Sequence, residues 1–325
     1  MKIKVGVFFG GKSVEHEISI ITANQAISNI NKDKYEIVPI YISKKGTMYT
    51  GDKLLDLQEY RDIDKLIKSL DEVACVNAGD KVNILRASHK LFSNNVINTI
   101  DVAFPIMHGT NGEDGSIQGY LEILGIPYVG PDVLASSIGM DKIMMRRILK
   151  EQNIPSLDYV AFYSLEYIKN EEKYINEIEE KLKYPVIVKA GNLGSSVGIK
   201  KAKNKEELKE AIEFSMEFSD RIMVENAIVQ LKEVNCSVIG NMIEATASTC
   251  EEPVGSDEIL SYTDKYVGGE KTKGSGSKGM AALKRKLPAE IPEEMENKIK
   301  EIAIKTFKVL GCNRSFKNRF YDRFK

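Results

Sequence analysis

Residues 184–202, YPVIVKAGNLGSSVGIKKA, combine a lysine with a turn rich in glycine and serine. The apolar run at 186–188 suits a buried strand, and it ends on Lys189, where another apolar residue would be expected. The turn that follows carries three small residues that we call the glycine flap: Gly194, Ser195 and Ser196. Backbone N–H groups in such a turn can point at an anion, and the lysine adds charge for phosphate oxygens. These residues alone fit an ordinary β-hairpin with a surface lysine equally well.

Single charged residues recur at predicted strand ends or beside glycine turns. Besides Lys189, they are Lys142, Glu225, Glu233 and Lys265. Two lysines near a glycine flap suit a polyphosphate, because ammonium groups bind phosphate oxygens as point charges. An acid at a strand end, next to backbone that can pair with a base edge, suits an adenosine. Any one of these charges alone is typical of a solvated surface, but together they indicate nucleotide binding between two small α/β domains.

A second polar loop, HGTNGEDG at 108–115, follows a predicted strand at 101–107. Open α/β sheets place their ligands at the carboxyl ends of strands, so this loop is a candidate binding loop. His108 and Glu113 are close enough in sequence to pair. The alternative is a tight turn that uses Asn-Gly and Asp-Gly chemistry. The sequence presents no Ser-His-Asp triad and no histidine cluster with the spacing of a metal site.

The N-terminal segment predicts the start of a parallel sheet. Residues 3–9 (IKVGVFF) suit a buried strand, a helix follows with Ser13 as its N-cap, and 35–42 is the next strand, which gives a βαβ unit. Residues 6–13 also match the P-loop pattern GxxxxGK(S/T). The loop of a true P-loop begins after the strand, whereas Gly6 lies inside this one, so we interpret the match as accidental.

Hydrophobic periodicity predicts the remaining elements. The helices are 116–125, 137–152, 165–183, 204–218 and 292–310, and the strands are 126–129, 157–163, 221–225 and 232–240, the last forming a hairpin with 242–250. Residues 43–99 are polar and irregular, with short elements around 53–70 and 82–92, and we predict that they serve as scaffold. Residues 261–281 are rich in glycine, lysine and serine, a composition typical of a mobile loop.

Composition is typical of a soluble globular protein and argues against nucleic-acid and membrane partners. The 325 residues suffice for two or three domains, and a net charge of -1 provides no basic field for nucleic acid. No apolar run approaches the length of a membrane span, and the N-terminal run is too short for a signal peptide. The four cysteines are scattered without metal-site spacing, which indicates reduced thiols and a cytoplasmic location.

Several segments, in order along the chain, resemble the D-alanine–D-alanine ligase family of the ATP-grasp superfamily. They are GGKSVEHEIS at 10–19, HGTNGEDGSIQGYLEILGIPYVG at 108–130, MDK at 140–142, VIVKAGNLGSSVGI at 186–199, VEN at 224–226 and DKY at 264–266. The resemblance implies an α/β fold with three domains. An N-terminal, Rossmann-like parallel-sheet domain (1–136) would bind substrate, and two α+β domains (137–224 and 225–325) would clasp ATP.

The resemblance also implies which residues hold the nucleotide. Lys142 and Lys189 would bind ATP phosphates, and the glycine flap would cover them. Lys265, on the loop expected to be mobile, would reach the γ-phosphate. Glu225 would contact the adenine side, and Glu233 would contact the ribose.

A second set of residues is implied for the amino-acid substrate. Glu15 would meet the ammonium of the first D-alanine. It would also belong to a hydrogen-bonded group of Glu15, Ser195 and Tyr266 that closes the loop over the site. His108 and Glu113 would line the substrate side.

The chemistry implied is ligation that consumes ATP and makes a peptidoglycan precursor. The carboxylate of the first D-alanine attacks the γ-phosphate, and the amine of the second amino acid attacks the resulting acyl phosphate. Lysines and Mg²⁺ or Mn²⁺ would offset charge on the transferred group, and loop closure would exclude water. Relatives that accept D-lactate typically replace the tyrosine matching Tyr266, so its presence favours D-alanine or D-serine as acceptor. A homodimer is a further expectation from the family.

Beyond Cys312 the chain departs from the family pattern. The family continues with a glycine, then Arg-x-Asp-Phe and Glu-x-Asn, which carry the magnesium ligands, whereas this chain reads NRSFKNRFYDRFK without clear strand alternation. We therefore assign no metal ligand, and Asp322 is left unassigned. One hypothesis is that 313–324 is a one-base frameshift; resequencing that finds an uninterrupted frame to Lys325 would exclude it.

Two functional classes follow. One is an active ligase, and the other is a truncated, inactive product that at most binds nucleotide. In the second class the final helix would lack its sheet partners, and sheet edges would be exposed. A Rossmann dehydrogenase is disfavoured, because GxGxxG is missing after the first strand.

Overall fold

The computed structural model describes residues 2–88, 95–194, 197–228, 231–253 and 285–323, with 314–323 described by their backbone alone. The chain divides into two compact units, Met1–Ser136 and Ser137–Lys325. The second unit contains two separate sheets of three or more strands, and the three-domain division remains a proposal. Among the described helices, none has both the length and the apolar character needed to cross a membrane.

The first unit is built around a βαβ core. Strand β1 (Ile3–Gly10) pairs in parallel with β2 (Tyr35–Ile42) on one side and with β7 (Val102–Pro105) on the other. Helix α1 (His16–Asn29) connects β1 to β2. From Val5 onward β1 is buried, as expected for a parallel strand covered on both faces. The predicted βαβ unit is confirmed.

Residues 43–99 contribute more structure than the sequence predicts. Four short strands extend the sheet by antiparallel pairing: β3 (Met48–Thr50), β4 (Asp71–Asn77), β5 (Val82–Arg86) and β6 (Val96–Ile100). The single helix α2 (Ile63–Lys68) lies between β3 and β4. The scaffold interpretation was wrong in calling this part irregular, because strands with only one or two buried residues give little hydrophobic alternation to detect.

Two helices follow β7, namely α3 (Ser116–Ile123) and α4 (Val133–Met140). The predicted strand at 126–129 is reduced to one parallel bridge, between Ala103 and Tyr128. The sheet order is β6-β5-β4-β3-β2-β1-β7. Phe8 is buried on one face of the sheet and Phe9 on the other, so successive residues of β1 pack into two different hydrophobic cores.

The glycine at position 6 excludes a P-loop. Gly6 lies in the middle of β1, opposite Val38 and Ala103. A Cβ on this glycine would lie 2.7 Å from the side chain of Ile100, so close packing accounts for the glycine. The interpretation of the P-loop match as accidental is confirmed.

The second unit begins with α5 (Lys142–Glu151) and a four-stranded sheet of order β10-β9-β11-β8. Its elements in chain order are β8 (Tyr159–Tyr163), α6 (Ser164–Lys169), α7 (Glu171–Lys181), β9 (Val186–Ala190), β10 (Ile199–Ala202), α8 (Lys205–Met216) and β11 (Arg221–Asn226). The predicted single helix at 137–152 is broken at Asp141, which caps α5 by accepting from the backbone N–H groups of Ile143 and Met144.

The last part of the chain forms a three-stranded sheet of order β13-β12-β16. It is built from β12 (Leu231–Gly240), β13 (Ala245–Ala247) and β16 (Arg314–Arg323), with the short pair β14 (Glu252–Pro253) and β15 (Arg285–Lys286) beside it. The predicted hairpin of β12 with the following strand is confirmed. Helix α9 (Glu293–Val309) packs against β12 and β13.

The C-terminal tail is a strand, contrary to expectation. β16 pairs with β12 in antiparallel register along its whole length, from Leu231↔Arg323 to Gly240↔Arg314. Phe316 and Phe320 stand opposite Val238 and Val234, which are buried residues of β12. The expected loss of sheet partners for the final helix is therefore wrong. Basic residues between the two phenylalanines obscured their period of two.

Candidate functional site

One face of the four-stranded sheet is charged, and the other face is apolar. Strands alternate their side chains, so Val188, Val224 and Phe162 point into the core beneath α7 and α8. Lys189 on β9 stands opposite Met223 on β11, and Glu225 lies two residues further along β11. Lys189 and Glu225 therefore share the face that lies opposite the core.

Glu225 is the centre of an ion-paired group on that face. Its carboxylate is buried, with 5% of the side chain exposed, and it pairs through Oε1 with the ammonium of Lys189. Arg146 Nη2 donates to Glu225 Oε2 at 2.9 Å. The side chains of Lys189 and Arg146 are only 15% and 17% exposed. Ion pairs with this little solvent exposure fix the positions of their members, because an unpaired buried charge has a large desolvation cost.

Lys142 reaches the loop that leads into the glycine flap. Its backbone N–H donates to Gly191 O at 2.8 Å. Its ammonium donates to the carbonyl oxygens of Ala190, at 3.4 Å, and of Leu193. Leu193 immediately precedes Gly194, so the structure places the ammonium of Lys142 at the base of the flap.

The start of α5 is held in place by a second ion pair. Arg221 on β11 pairs with Asp141, the residue that caps α5, and also donates to the hydroxyl of Tyr163 at 3.2 Å. A Cβ on Gly191 would lie 3.1 Å from Arg221 O and 3.1 Å from the side chain of Ile143. The helix therefore packs tightly on the sheet edge, which orients Lys142 and Arg146.

The remaining nucleotide residues are not brought into this group. Glu233 lies on β12, which belongs to the three-stranded sheet, and its ribose role stays a prediction. Ser195, Ser196, Lys265 and Tyr266 lie outside the described residues, as does the whole loop predicted to be mobile, 261–281. The hydrogen-bonded group of Glu15, Ser195 and Tyr266 stays a prediction as well.

The first unit brings the three substrate-side residues together. One donor atom each of Glu15, His108 and Glu113 lies within 4.8 Å of the other two. Glu15 is buried at 2% exposure, whereas Glu113 is exposed, so the group opens to solvent on one side. The N–H of Gly109 donates to Glu113 Oε2 at 2.7 Å and fixes that carboxylate.

A hydrogen bond to Thr22 holds the ring of His108 in orientation. Thr22 Oγ1 donates to the carbonyl of Ile18 at 2.9 Å, because a carbonyl oxygen can only accept. The same Oγ1 lies 2.9 Å from His108 Nε2, so when the hydroxyl donates to Ile18 the ring donates from Nε2–H. Burial lowers the pKa of His108, against an opposing influence of Glu15. With that tautomer the neutral ring has its lone pair on Nδ1.

The loop between β1 and α1 contains supports that the sequence does not reveal. His16 is fully buried, with Nδ1 2.7 Å from Gly11 O and Nε2 3.0 Å from the hydroxyl of Tyr41. Ser13 is not the N-cap. Glu15 occupies that position without a capping side-chain bond, and Ser13 Oγ accepts from the N–H of Glu15 at 3.1 Å.

Sequence reasoning missed two functional neighbours. Arg146 lies four residues after Lys142 on α5, a spacing that puts both on one helix face and could have predicted it. Thr22 lies three residues after Ser19 in α1, and no local pattern connects it with a histidine 86 positions away.

The chain thus combines an α/β unit that carries a polar glycine-rich loop with a second unit that carries a lysine on a sheet face beside a glycine turn, an arrangement typical of the ATP-grasp class of enzymes. Family comparison matches residues 4–131 to the D-ala D-ala ligase N-terminus and residues 148–320 to the D-ala D-ala ligase C-terminus. The chain belongs to the D-alanine–D-alanine ligase family. The second match runs past Cys312, where the resemblance of individual motifs stops.

Curated relatives agree with this assignment. The D-alanine--D-alanine ligase of Thermosipho melanesiensis is 39% identical over 311 residues, covering 96% of this chain and 80% of that protein. That of Acetivibrio thermocellus is 40% identical over 319 residues, covering 96% and 81%. The chain thus spans about four-fifths of the length of these relatives.

Solved structures share the fold. The VanG D-Ala:D-Ser ligase from Enterococcus faecalis superimposes with a TM-score of 0.75 at 31% identity, covering 98% of this chain and 86% of that one. The D-alanine-D-alanine ligase from Coxiella burnetii gives 0.77 at 26% identity, covering 98% and 80%.

Proposed function

We propose that this chain joins two D-alanine molecules to D-alanyl-D-alanine at the expense of ATP, as a step in making peptidoglycan precursors. The observation that carries the proposal is the group on the four-stranded sheet. Lys142 and Lys189 lie beside the same glycine loop, and Lys189 is fixed by the buried Glu225. The names of the relatives, at about 40% identity over nearly the whole chain, supply the substrate.

The nucleotide side fits a polyphosphate. Two ammonium groups and a glycine flap offer charge and backbone donors, which is the donor set that phosphate oxygens require. Lys142 and Lys189 would hold phosphates, and Lys265 and the flap would close over them. Glu225 positions Lys189 and would also contact the adenine side. Glu233 would hold the ribose.

The substrate side fits an ammonium. Glu15 and Glu113 are carboxylates, and the tautomer of His108 leaves a lone pair on Nδ1, so the group consists of acceptors. The ammonium of the first D-alanine would donate to Glu15. Ser195 and Tyr266 would complete the closed site with Glu15.

The reaction requires charge control and exclusion of water. ATP supplies the phosphoryl group that activates the first carboxylate. The amine of the second amino acid then forms the C–N bond as the C–O bond to phosphate breaks, and it loses a proton. Lysine charges lower the barrier because negative charge builds up on the departing phosphate. Exclusion of water protects the activated carboxyl group.

A divalent ion belongs to the proposal without assigned ligands. Among the described residues, the one group of three side chains that could hold an ion is Glu15, His108 and Glu113, in the first unit. The described side chains of Ser137–Lys325 therefore do not identify a place for Mg²⁺ or Mn²⁺. We expect activity to require one of these ions.

D-Serine is the second candidate acceptor. The observation that favours it is the similarity to VanG, a D-Ala:D-Ser ligase, at 31% identity. The higher identity of the relatives named D-alanine--D-alanine ligase favours D-alanine. We further propose a homodimer and a cytoplasmic location, which sedimentation of the purified chain and cell fractionation would test.

The deciding experiment is phosphate release by the purified 325-residue chain with ATP and Mg²⁺. We expect release that depends on D-alanine, with D-alanyl-D-alanine as the product. A parallel reaction with D-alanine and D-serine separates the two acceptors by product mass. Nucleotide binding without amino-acid-dependent release would instead identify an inactive form.

A further inference from the structure

Glu15, His108 and Glu113 have a geometry that suits one small cation. Their donor atoms lie within 4.8 Å of one another. Two ligands bound to one tetrahedral Zn²⁺ at about 2.0–2.2 Å are roughly 3.3–3.6 Å apart. Side-chain shifts of under about an ångström would therefore let all three atoms reach a single ion.

The hydrogen bond of His108 prepares it as a ligand. A metal-bound histidine needs one nitrogen without a proton, and its other N–H is usually held by a neighbour. Thr22 can accept from Nε2–H while its own proton is donated to Ile18 O. This hydrogen bond holds the ring in orientation, and the tautomer with Nε2–H leaves Nδ1 available to bind an ion.

The surroundings close the site on one side and open it on the other. Glu15 is buried and forms the floor, whereas Glu113 is exposed and marks the entrance. The backbone of Gly109, with φ +69°, passes so close that a Cβ there would lie 2.5 Å from Glu15 Oε2. Its N–H donates to Oε2 of Glu113, which orients that carboxylate at the entrance.

We propose that Glu15, His108 and Glu113 form a Zn²⁺ site. One imidazole and two carboxylates suit a late first-row ion such as Zn²⁺, whereas Mg²⁺ prefers octahedral oxygen ligands. Three protein ligands leave a coordination position open. The ion would occupy the place of the substrate ammonium, so Zn²⁺ would inhibit in competition with D-alanine; this last point rests on the proposed function.

The test is a Zn²⁺ titration of the intact chain, without nucleotide or amino acid, against a chromophoric chelator. We expect one tight ion per chain, with Mg²⁺ unable to displace it. Glu15→Gln and His108→Gln should each weaken binding at least about 10-fold, and Thr22→Val about 10- to 100-fold through lost orientation. Thr22→Ser, which keeps the hydroxyl, and Glu17→Gln, an exposed residue of α1 paired with Lys44, should bind like the unmodified chain.

The buried cysteines are the competing explanation, and Co²⁺ distinguishes them. A site of oxygen and nitrogen ligands gives a cobalt spectrum without thiolate charge-transfer absorption. Thiolate bands, or unchanged affinity in the Glu15→Gln and His108→Gln chains, would overturn the proposal. Thr22→Val leaves all three ligands in place, so it keeps the test meaningful if a ligand variant misfolds.

Displacement of Zn²⁺ by D-alanine is measured separately. Displacement of the ion by D-alanine would support the proposal that Zn²⁺ and the substrate ammonium share one site. One tight Zn²⁺ that D-alanine does not displace would leave the metal site standing and remove its link to the proposed function.

Discussion

The ammonium of Lys189 and the carboxylate of Glu225 form an ion pair across two neighbouring strands, on the face of the sheet opposite its core. The carboxylate is shared with Arg146 on α5, so one acid holds two cations from two different elements. Because the group is nearly dry, removing the acid would leave two cations facing each other without compensation.

Glu225→Gln is therefore expected to destabilise the second unit by about 3–5 kcal/mol, the cost of breaking a buried ion pair. Glutamine keeps the shape and removes only the charge. The measurement is urea unfolding of the purified chain without nucleotide. The matched control is Glu210→Gln, which breaks the exposed pair with Lys200 and should cost no more than about 0.5 kcal/mol. Equal costs for the two variants would contradict the central role of Glu225.

Lys142→Met and Lys189→Met test whether these two lysines bind the phosphates of ATP. Each removes one charge-assisted hydrogen bond to ATP, worth about 1.5–3 kcal/mol, so the dissociation constant for ATP should rise about 10- to 150-fold. Calorimetric titration of ATP into the whole chain measures this. Lys200→Met is the control, because Lys200 lies on the adjacent strand β10 with an exposed ammonium. A similar loss in the control would indicate a general charge effect, and unchanged affinity in both test variants would reject the assigned roles.

The sequence predicts those elements of the fold that have a strong hydrophobic pattern of their own. β1 and β2 are continuous apolar runs, and their parallel pairing followed from the helix between them. β3 has three residues and one buried position, so its contribution to the sheet comes from pairing with neighbours rather than from its own pattern. β16 was missed for a similar reason, since its register with β12 is a property of distant residues.

The candidate site was predictable where chemistry depends on residue type and chain order. Lys142, Lys189 and Glu225 were recognised because isolated charges at strand ends or beside glycine turns are unusual. The structure pairs Lys189 with Glu225 and places Lys142 at the base of the glycine flap. Their partner Arg146 was missed because it lies inside an ordinary basic helix. Thr22 was missed because its importance comes from one long-range hydrogen bond to His108.

Gly109→Ala is expected to impair the substrate side more than the fold. The residue has φ +69°, and a Cβ would lie 2.5 Å from Glu15 Oε2 and 2.7 Å from Ser13 Oγ. Displacement of Glu15 should lower kcat/KM for D-alanine about 10- to 100-fold. Gly46→Ala is the control, with φ +87° and no atom within 4 Å of its Cβ, so it should show only the backbone cost of about 1–2 kcal/mol. Comparable kinetics for the two variants would rule out a specific role of Gly109.

Acid should destabilise the first unit through His16. Burial lowers its pKa below the ordinary value of 6.5, and the ring is held neutral between Gly11 O and the Tyr41 hydroxyl. The unfolded chain therefore binds a proton first as the pH falls. The stabilisation is fully present above about pH 6.5 and is lost as the pH falls from there toward the folded pKa.

The window between about pH 7.5 and about pH 5.5 favours the histidines, because Glu17 and Asp101, two carboxylates of the first unit whose pKa is lowered, titrate below it. His108, whose pKa is also lowered, contributes with the same sign. Urea unfolding at the two pH values should show a loss of stability that is smaller in His16→Gln than in the unmodified chain, because the variant lacks the group whose pKa is lowered on folding. The residual loss should disappear in the double variant with His108→Gln. A loss of the same size in His16→Gln as in the unmodified chain would mean that protonation of His16 does not affect stability in this pH range. Its two hydrogen bonds would then not make the β1–α1 loop sensitive to acid.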